Sequence, residues 1–112
     1  MHIDCLHYKD KRSDKIWGYT IDKDRCIVFY GKTKGTLSFI EHTGQHLPRY
    51  PLLGVATGDL SIPYTTQKAR KTKLSKGYVP VLENELNDYL PDSFKEALML
   101  AKLGMGLREA VR

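Results

Sequence analysis

Five basic residues and no acidic one fall between residues 61 and 82: Lys68, Arg70, Lys71, Lys73 and Lys76. Residues 1–60 carry nine basic and seven acidic side chains, and residues 83–112 carry four and six. The positive charge is thus one block beside an acidic tail. Such a block attracts polyanions, through phosphate contact and release of condensed counterions. The plainer reading is a solvated helix face. A second candidate is Tyr30-Gly31-Lys32, with Lys34 close behind. A tyrosine ring can stack on a base or sugar, and lysine is a point charge for phosphate. A glycine between them lets a backbone come close. The plainer reading here is a sheet residue, a turn residue and a solvated charge.

Other groups capable of chemistry are poorly set. His42 and His46 share a face only on a helix, and Gly44 and Pro48 argue against one. His2, Cys5 and His7 offer metal ligands on a first strand, but no Cys-x-x-Cys pair supports them. Gly31-Lys32-Thr33 is like the end of a phosphate loop, without the preceding glycine spacing or a following helix. Asp22 and Asp24 sit in a polar turn, and neither Ser38 nor Ser61 has a nucleophile's setting. The sequence therefore predicts neither an enzyme nor a bound metal or cofactor. Cys5 and Cys26 are too few for a disulfide framework. They read as buried thiols in a reducing compartment, with a single bridge as the alternative.

The chain of 112 residues suits one compact domain. Hydrophobic residues make up 41% of it, enough for a modest core and marginal stability. Its net charge is +5 and its isoelectric point about 9.2. The opening MHIDCLHYKDKR has no apolar signal core, and no run approaches membrane-spanning length. The expected location is the cytoplasm, or the nucleus or nucleoid for a DNA-binding protein.

A small set of elements must position the candidate residues. Met1–Tyr8 alternates loosely as a first strand, with Ile3, Cys5 and His7 opposite Asp4, Leu6 and Tyr8. Lys9–Asp14 is a charged turn. Ile16–Asp22 reads as a strand with Ile16, Gly18 and Thr20 facing one way and Trp17, Tyr19 and Ile21 the other. A polar turn, Asp22–Arg25, leads into Cys26–Tyr30, a continuous apolar run suited to a central strand. Gly31–Gly35 is a second turn and Thr36–Glu41 a third clear strand. The prediction is a meander of three antiparallel strands, four with the N-terminal one, and Trp17 belongs to its core. Residues 43–62 form a long excursion rich in Gly and Pro, with a short hairpin around Leu52–Leu60. Pro63 leads a basic helix over Tyr64–Lys76 that stops at Gly77. Its apolar face is thin. Tyr78–Leu82 is a short apolar run broken by Pro80, and Glu83–Leu90 suits a helical turn or two. Ser93 and Glu96 have capping-box spacing. Phe94, Ala97, Leu98, Ala101 and Met105 then line one face of a last helix. That stripe packs on the sheet or docks a protein partner. The fold class is α+β, a small antiparallel sheet packed with one basic helix and a C-terminal helix.

In order and spacing the chain resembles the WGR domain, a small β-rich module found beside some poly(ADP-ribose) polymerase catalytic domains and in bacterial proteins. Lys15-Ile16-Trp17 looks like its first aromatic strand. Cys26–Tyr30 followed by Gly31-Lys32 occupies the name-giving Trp-Gly-Arg position, with Tyr for Trp and Lys for Arg. Thr33-Lys34-Gly35 resembles the turn that follows, and Lys73-Leu74-Ser75-Lys76-Gly77-Tyr78 the helix end. The resemblance covers roughly residues 3–82, with an insertion at 43–62, and leaves 83–112 as a helical extension on the same domain. It departs in the triplet, where lysine lacks arginine's planar fork, and in a shorter, less apolar helix. The resemblance implies binding to nucleic acid, DNA over RNA. Tyr30 would pack on a sugar or terminal base and Lys32 meet phosphate, joined by Lys34, Lys68, Arg70, Lys71, Lys73 and Lys76. The alternative is a protein-interaction or regulatory accessory domain acting through the C-terminal helix, without nucleic acid.

Overall fold

The computed structural model describes residues 2–22, 25–42, 50–51, 61–62 and 64–102. β1 (His2–Lys9), β2 (Asp14–Asp22), β3 (Arg25–Lys32) and β4 (Leu37–His42) form successive antiparallel pairs. β5 (Tyr50–Pro51) and β6 (Ser61–Ile62) pair with each other. They flank the stretch predicted as a hairpin, which lies outside the described residues. α1 (Tyr64–Ser75) follows, then β7 (Val79–Pro80), a 3-10 turn (Glu83–Asp88) and α2 (Phe94–Lys102). The fold class is α+β, as predicted.

The expected meander is present as β4-β3-β2-β1, and the sheet differs from expectation in two details. First, a fifth strand, β7, lies beside β1. The fifth is the short run at Tyr78, which lays Val79 and Pro80 antiparallel to His7 and Leu6. Proline is tolerated there because β7 is an edge, and just past it the Val81 amide still donates to the Cys5 carbonyl at 2.8 Å. Second, Gly31 does not open the turn. β3 continues through Gly31 and Lys32, and the turn is Thr33–Gly35, closed by the Gly35 amide donating to the Lys32 carbonyl at 2.9 Å. Lys34 takes the left-handed position, at φ 62°. Gly31 is demanded by the neighbouring strand instead. A Cβ there would lie 2.7 Å from the Thr36 carbonyl oxygen and 3.1 Å from the Leu37 side chain.

Both faces of the sheet are covered, which explains the unbroken apolar run of β3. One face carries Cys5, Ile16, Ile27, Phe29, Leu37 and Phe39, and packs on Leu90, Phe94 and Leu98. Phe94 meets Phe29 edge-on at 5.0 Å, with Phe39 at 6.2 Å. Gly18 makes room there, since a Cβ would sit 2.6 Å from Cζ of Phe29 and 2.5 Å from the Asp4 carbonyl oxygen. Phe94 and Leu98 are therefore core residues, 4% and 2% exposed, rather than a free docking stripe. Ala97 packs partly against the same cluster. The side chains of Ala101 and Met105 lie outside the described residues. The opposite face carries Leu6, Trp17, Tyr19, Cys26 and Val28 under α1, with Ala69 and Tyr78. Trp17 is buried, as its setting predicted.

Candidate nucleic-acid interface

The strand register arranges the α1 face in rows. Tyr8 stands opposite Lys15, and Lys15 opposite Lys32. The next row is Leu6, Trp17, Tyr30 and Ser38, and the one after is Asp4, Tyr19, Val28 and Ile40. Facing residues on adjacent strands are roughly 5 Å apart at Cβ, so Lys15 and Lys32 form a like-charge pair. Such a pair is unfavourable where the ammonium groups meet, and Lys15 carries its own over the Tyr8 ring instead.

α1 crosses this face diagonally. Near its start, Thr66 is buried with its hydroxyl 3.5 Å from the Cys26 thiol. Midway, the Arg70 guanidinium donates to Asp4 at 2.7 Å. Its end is a left-handed glycine stop. Gly77 has φ 100°, its amide donates to the Leu74 carbonyl at 3.1 Å, and the Tyr78 amide donates to the Lys73 carbonyl at 3.1 Å. This turn drops Tyr78 onto the sheet beside Tyr8, ring centroids 5.2 Å apart. Lys73 then lies over the Tyr78 ring at 5.2 Å, and Lys15 over the Tyr8 ring at 5.5 Å. Two stacked tyrosines thus hold two ammonium groups at one corner of the face, with Lys32 on the adjoining strand and Lys76 at the helix end.

The electrostatics follow from this crowding. The Lys73 amine has its pKa lowered by partial burial first, then by Lys76 and Lys15. The nearby Asp10 puts one negative charge at the edge of this corner and attracts Lys15. Its carboxylate accepts from the Tyr8 hydroxyl at 2.8 Å and from the amides of Arg12 and Ser13 at 2.8 and 2.7 Å. Those bonds hold the Asp10 carboxyl below its ordinary value and raise the Tyr8 hydroxyl.

The predicted site residues divide into three groups. Lys73 and Lys76 gather at the corner, and Lys32 belongs to the same face. Tyr30 shares that face too and is 41% exposed, beside exposed Ile40, because α1 leaves the β3–β4 side open. Lys68 and Lys71 are exposed on the outer side of α1. Arg70 is committed elsewhere: it and Asp4 form an ion pair whose side chains are 19% and 14% exposed. Asp4 also lies against Tyr19, whose hydroxyl is pushed up by burial first and then by this carboxylate. Lys34 leaves the group altogether. Its amide donates to the Tyr89 carbonyl at 2.8 Å and its ammonium to the Asn87 carbonyl at 3.1 Å, with Asp92 at 3.7 Å. It fastens the β3–β4 turn to the segment before α2.

Sequence reasoning missed Lys15 and Tyr8. Their signal is the pairing register, which emerges only once β1, β2 and β3 are aligned.

The metal candidates are not assembled. His7 pairs with Asp14 at 2.6 Å, and its ring lies 4.6 Å from that of Tyr89. No group of three or more potential ligands occurs among the described residues. Cys5 and Cys26 are both free and buried on opposite faces of the sheet, so no bridge joins them. Among the described residues no helix is long and apolar enough to cross a membrane. Comparisons with family models, curated proteins and solved structures find no match to this chain.

Proposed function

We propose that this chain is a nucleic-acid-binding module, WGR-like, with DNA favoured over RNA. The observation that supports the reading is the convergence of Lys15, Lys32, Lys73 and Lys76 on one face, with the exposed Tyr30 ring beside them. Four cations against the Asp10 carboxylate leave a net positive corner, which suits the closely spaced charges of a phosphate backbone. A tyrosine on an open sheet surface suits stacking on a base or sugar. The acidic residues Glu83, Glu85, Asp88, Asp92 and Glu96 belong to the segment packed on the other face, so the sheet separates the two signs and can orient an approaching polyanion. In this reading Lys68 and Lys71 extend the basic track along α1. Arg70 and Lys34 serve the fold.

The test is a salt-dependent binding series against blunt duplex, single-stranded DNA and RNA. Affinity is expected to fall steeply with salt, and each phosphate contact removed should lower the slope of log K against log salt by about 0.9. Lys15→Gln and Lys73→Gln should each do so, whereas Lys34→Gln should leave the slope unchanged. Absence of binding at low salt, or an equal loss in all three variants, defeats the reading.

A further inference from the structure

We propose that Lys73 is a site of acylation by anionic acyl donors docked on Lys15 and Lys76, and that its acylation switches off the basic corner. The switching clause rests on the nucleic-acid reading; the acylation clause does not.

Lys73 differs from the other lysines of α1 in its surroundings. Lys68 and Lys71 are exposed on the same helix, while Lys73 is partly covered and held over the Tyr78 ring at 5.2 Å. Its hold is built into the backbone, because the left-handed Gly77 fixes Tyr78 beneath it. No carboxylate pairs with Lys73 among the described residues. Partial burial and the ammonium groups of Lys76 and Lys15 favour the neutral amine, an effect that the π-face of Tyr78 partly offsets. The neutral amine is the nucleophilic form. The same two lysines offer a docking place for the phosphate of an acyl phosphate or of a phosphate-bearing thioester. Docking there raises the donor's effective concentration beside the amine.

The step balances without an oxidant or a metal. The Lys73 nitrogen attacks the acyl carbonyl, a C–N bond forms, and the C–O bond to phosphate breaks, or the C–S bond in the case of the thioester. Phosphate or thiolate leaves with the bonding electron pair, and the proton from nitrogen passes to solvent. The product amide is uncharged, so the corner loses one cation and the Tyr78 ring loses its charged cap.

The experiment treats the full chain with acetyl phosphate at low ionic strength near neutral pH. Initial rates at each lysine are read by peptide mass spectrometry, with Lys68 and Lys71 as internal standards. Lys73 is expected to react several-fold faster than either, and added salt should shrink the margin. A Lys73 rate equal to or below those of Lys68 and Lys71 overturns the proposal, and this comparison needs no variant. Lys15→Gln and Lys76→Gln, checked as folded by thermal melting, should each slow acetylation at Lys73 alone; a margin unchanged in both overturns the docking role. Lys73→Gln, which mimics the acylated state, should lower the salt slope of DNA binding by about one. If Lys73 reacts first but the parent binds no nucleic acid, the proposed function fails and the acylation site stands. If the parent binds but Lys73 holds no advantage, the reverse is true.

Discussion

Replacing Arg70 by methionine separates a residue that holds the fold from one that holds a ligand. Arg70 sits in the basic block, yet its guanidinium is 2.7 Å from Asp4, with the two side chains 19% and 14% exposed. Methionine keeps an apolar stem against the sheet and removes the charge. The Asp4 carboxylate is then left largely buried beside the Tyr19 hydroxyl. Breaking a fully buried pair costs about 3–5 kcal/mol, and residual hydration at this site lowers the expectation to about 2–3 kcal/mol. For a domain of this size that is a fall of about 10 °C in Tm. Urea unfolding followed by fluorescence of the buried Trp17 gives the free energy, provided the m-value is unchanged. Adding Asp4→Asn to Arg70→Met should recover part of the loss, with a coupling energy of about 1–2 kcal/mol. The salt slope of nucleic-acid binding should stay at the parent's value in Arg70→Met. A Tm within about 1 °C of the parent, or a slope reduced as far as in Lys73→Gln, refutes the assignment.

Three further outcomes follow from the packing. Gly18→Ala should destabilise by about 2 kcal/mol or more, because the Asp4 carbonyl at 2.5 Å from the new Cβ is backbone and cannot swing away. Gly77→Ala has room, with the nearest Tyr8 ring atom at 3.6 Å, and should cost only the left-handed strain of about 1–2 kcal/mol; urea titrations that rank the two the other way contradict this account. Both thiols should resist an aromatic disulfide reagent near pH 8 in the native protein and react on unfolding, since burial, then Asp4, pushes the Cys5 thiol to about 12 and burial raises Cys26. Asp14 is held below the ordinary carboxyl value of 3.8 by the Thr33 hydroxyl first and then His7. A depressed carboxyl stabilises above its ordinary value and loses that stabilisation as pH falls through the lowered one, so Asp14→Asn should flatten the acid limb of stability below about pH 4. Urea midpoints measured from about pH 6 down to about pH 2 check this, and an unchanged limb counts against it.

Much of the architecture was legible because local chemistry and tertiary packing agree. The alternation in β2 placed Trp17, Tyr19 and Ile21 on one side and Ile16, Gly18 and Thr20 on the other, and the register keeps that division. Pro63 and Gly77 bracketed a helix that runs Tyr64–Ser75, one residue short of the expected end. The continuous apolar run Cys26–Tyr30 read as a central strand, and it lies between β2 and β4 with Cys26–Phe29 buried. What stayed hidden depends on pairing between distant residues. β7 has only two residues, and Pro80 reads as a break rather than as a strand end. The commitment of Arg70 to Asp4 spans 66 positions, so a count of charge along the chain cannot reveal it.

The Tyr-Gly-Lys triplet shows why type and spacing alone mislead at a site. Taken together, its three residues invited one explanation, either all sheet and turn or all ligand contact. The register divides them. Gly31 faces the α2 side and is required by the Thr36 carbonyl just before the next strand, whatever the protein binds. Tyr30 and Lys32 face the α1 side, where Lys32 stands opposite Lys15 and Tyr30 opposite Trp17. A strand alternates its side chains, so a glycine needed by one face sits between two residues serving the other. The same alternation brings Lys15, alone in its own stretch of sequence, beside Lys32 and within electrostatic reach of Lys73. The basic helix supplies only part of the corner. The sheet supplies the rest, by pairing that leaves no trace in the order of charges along the chain.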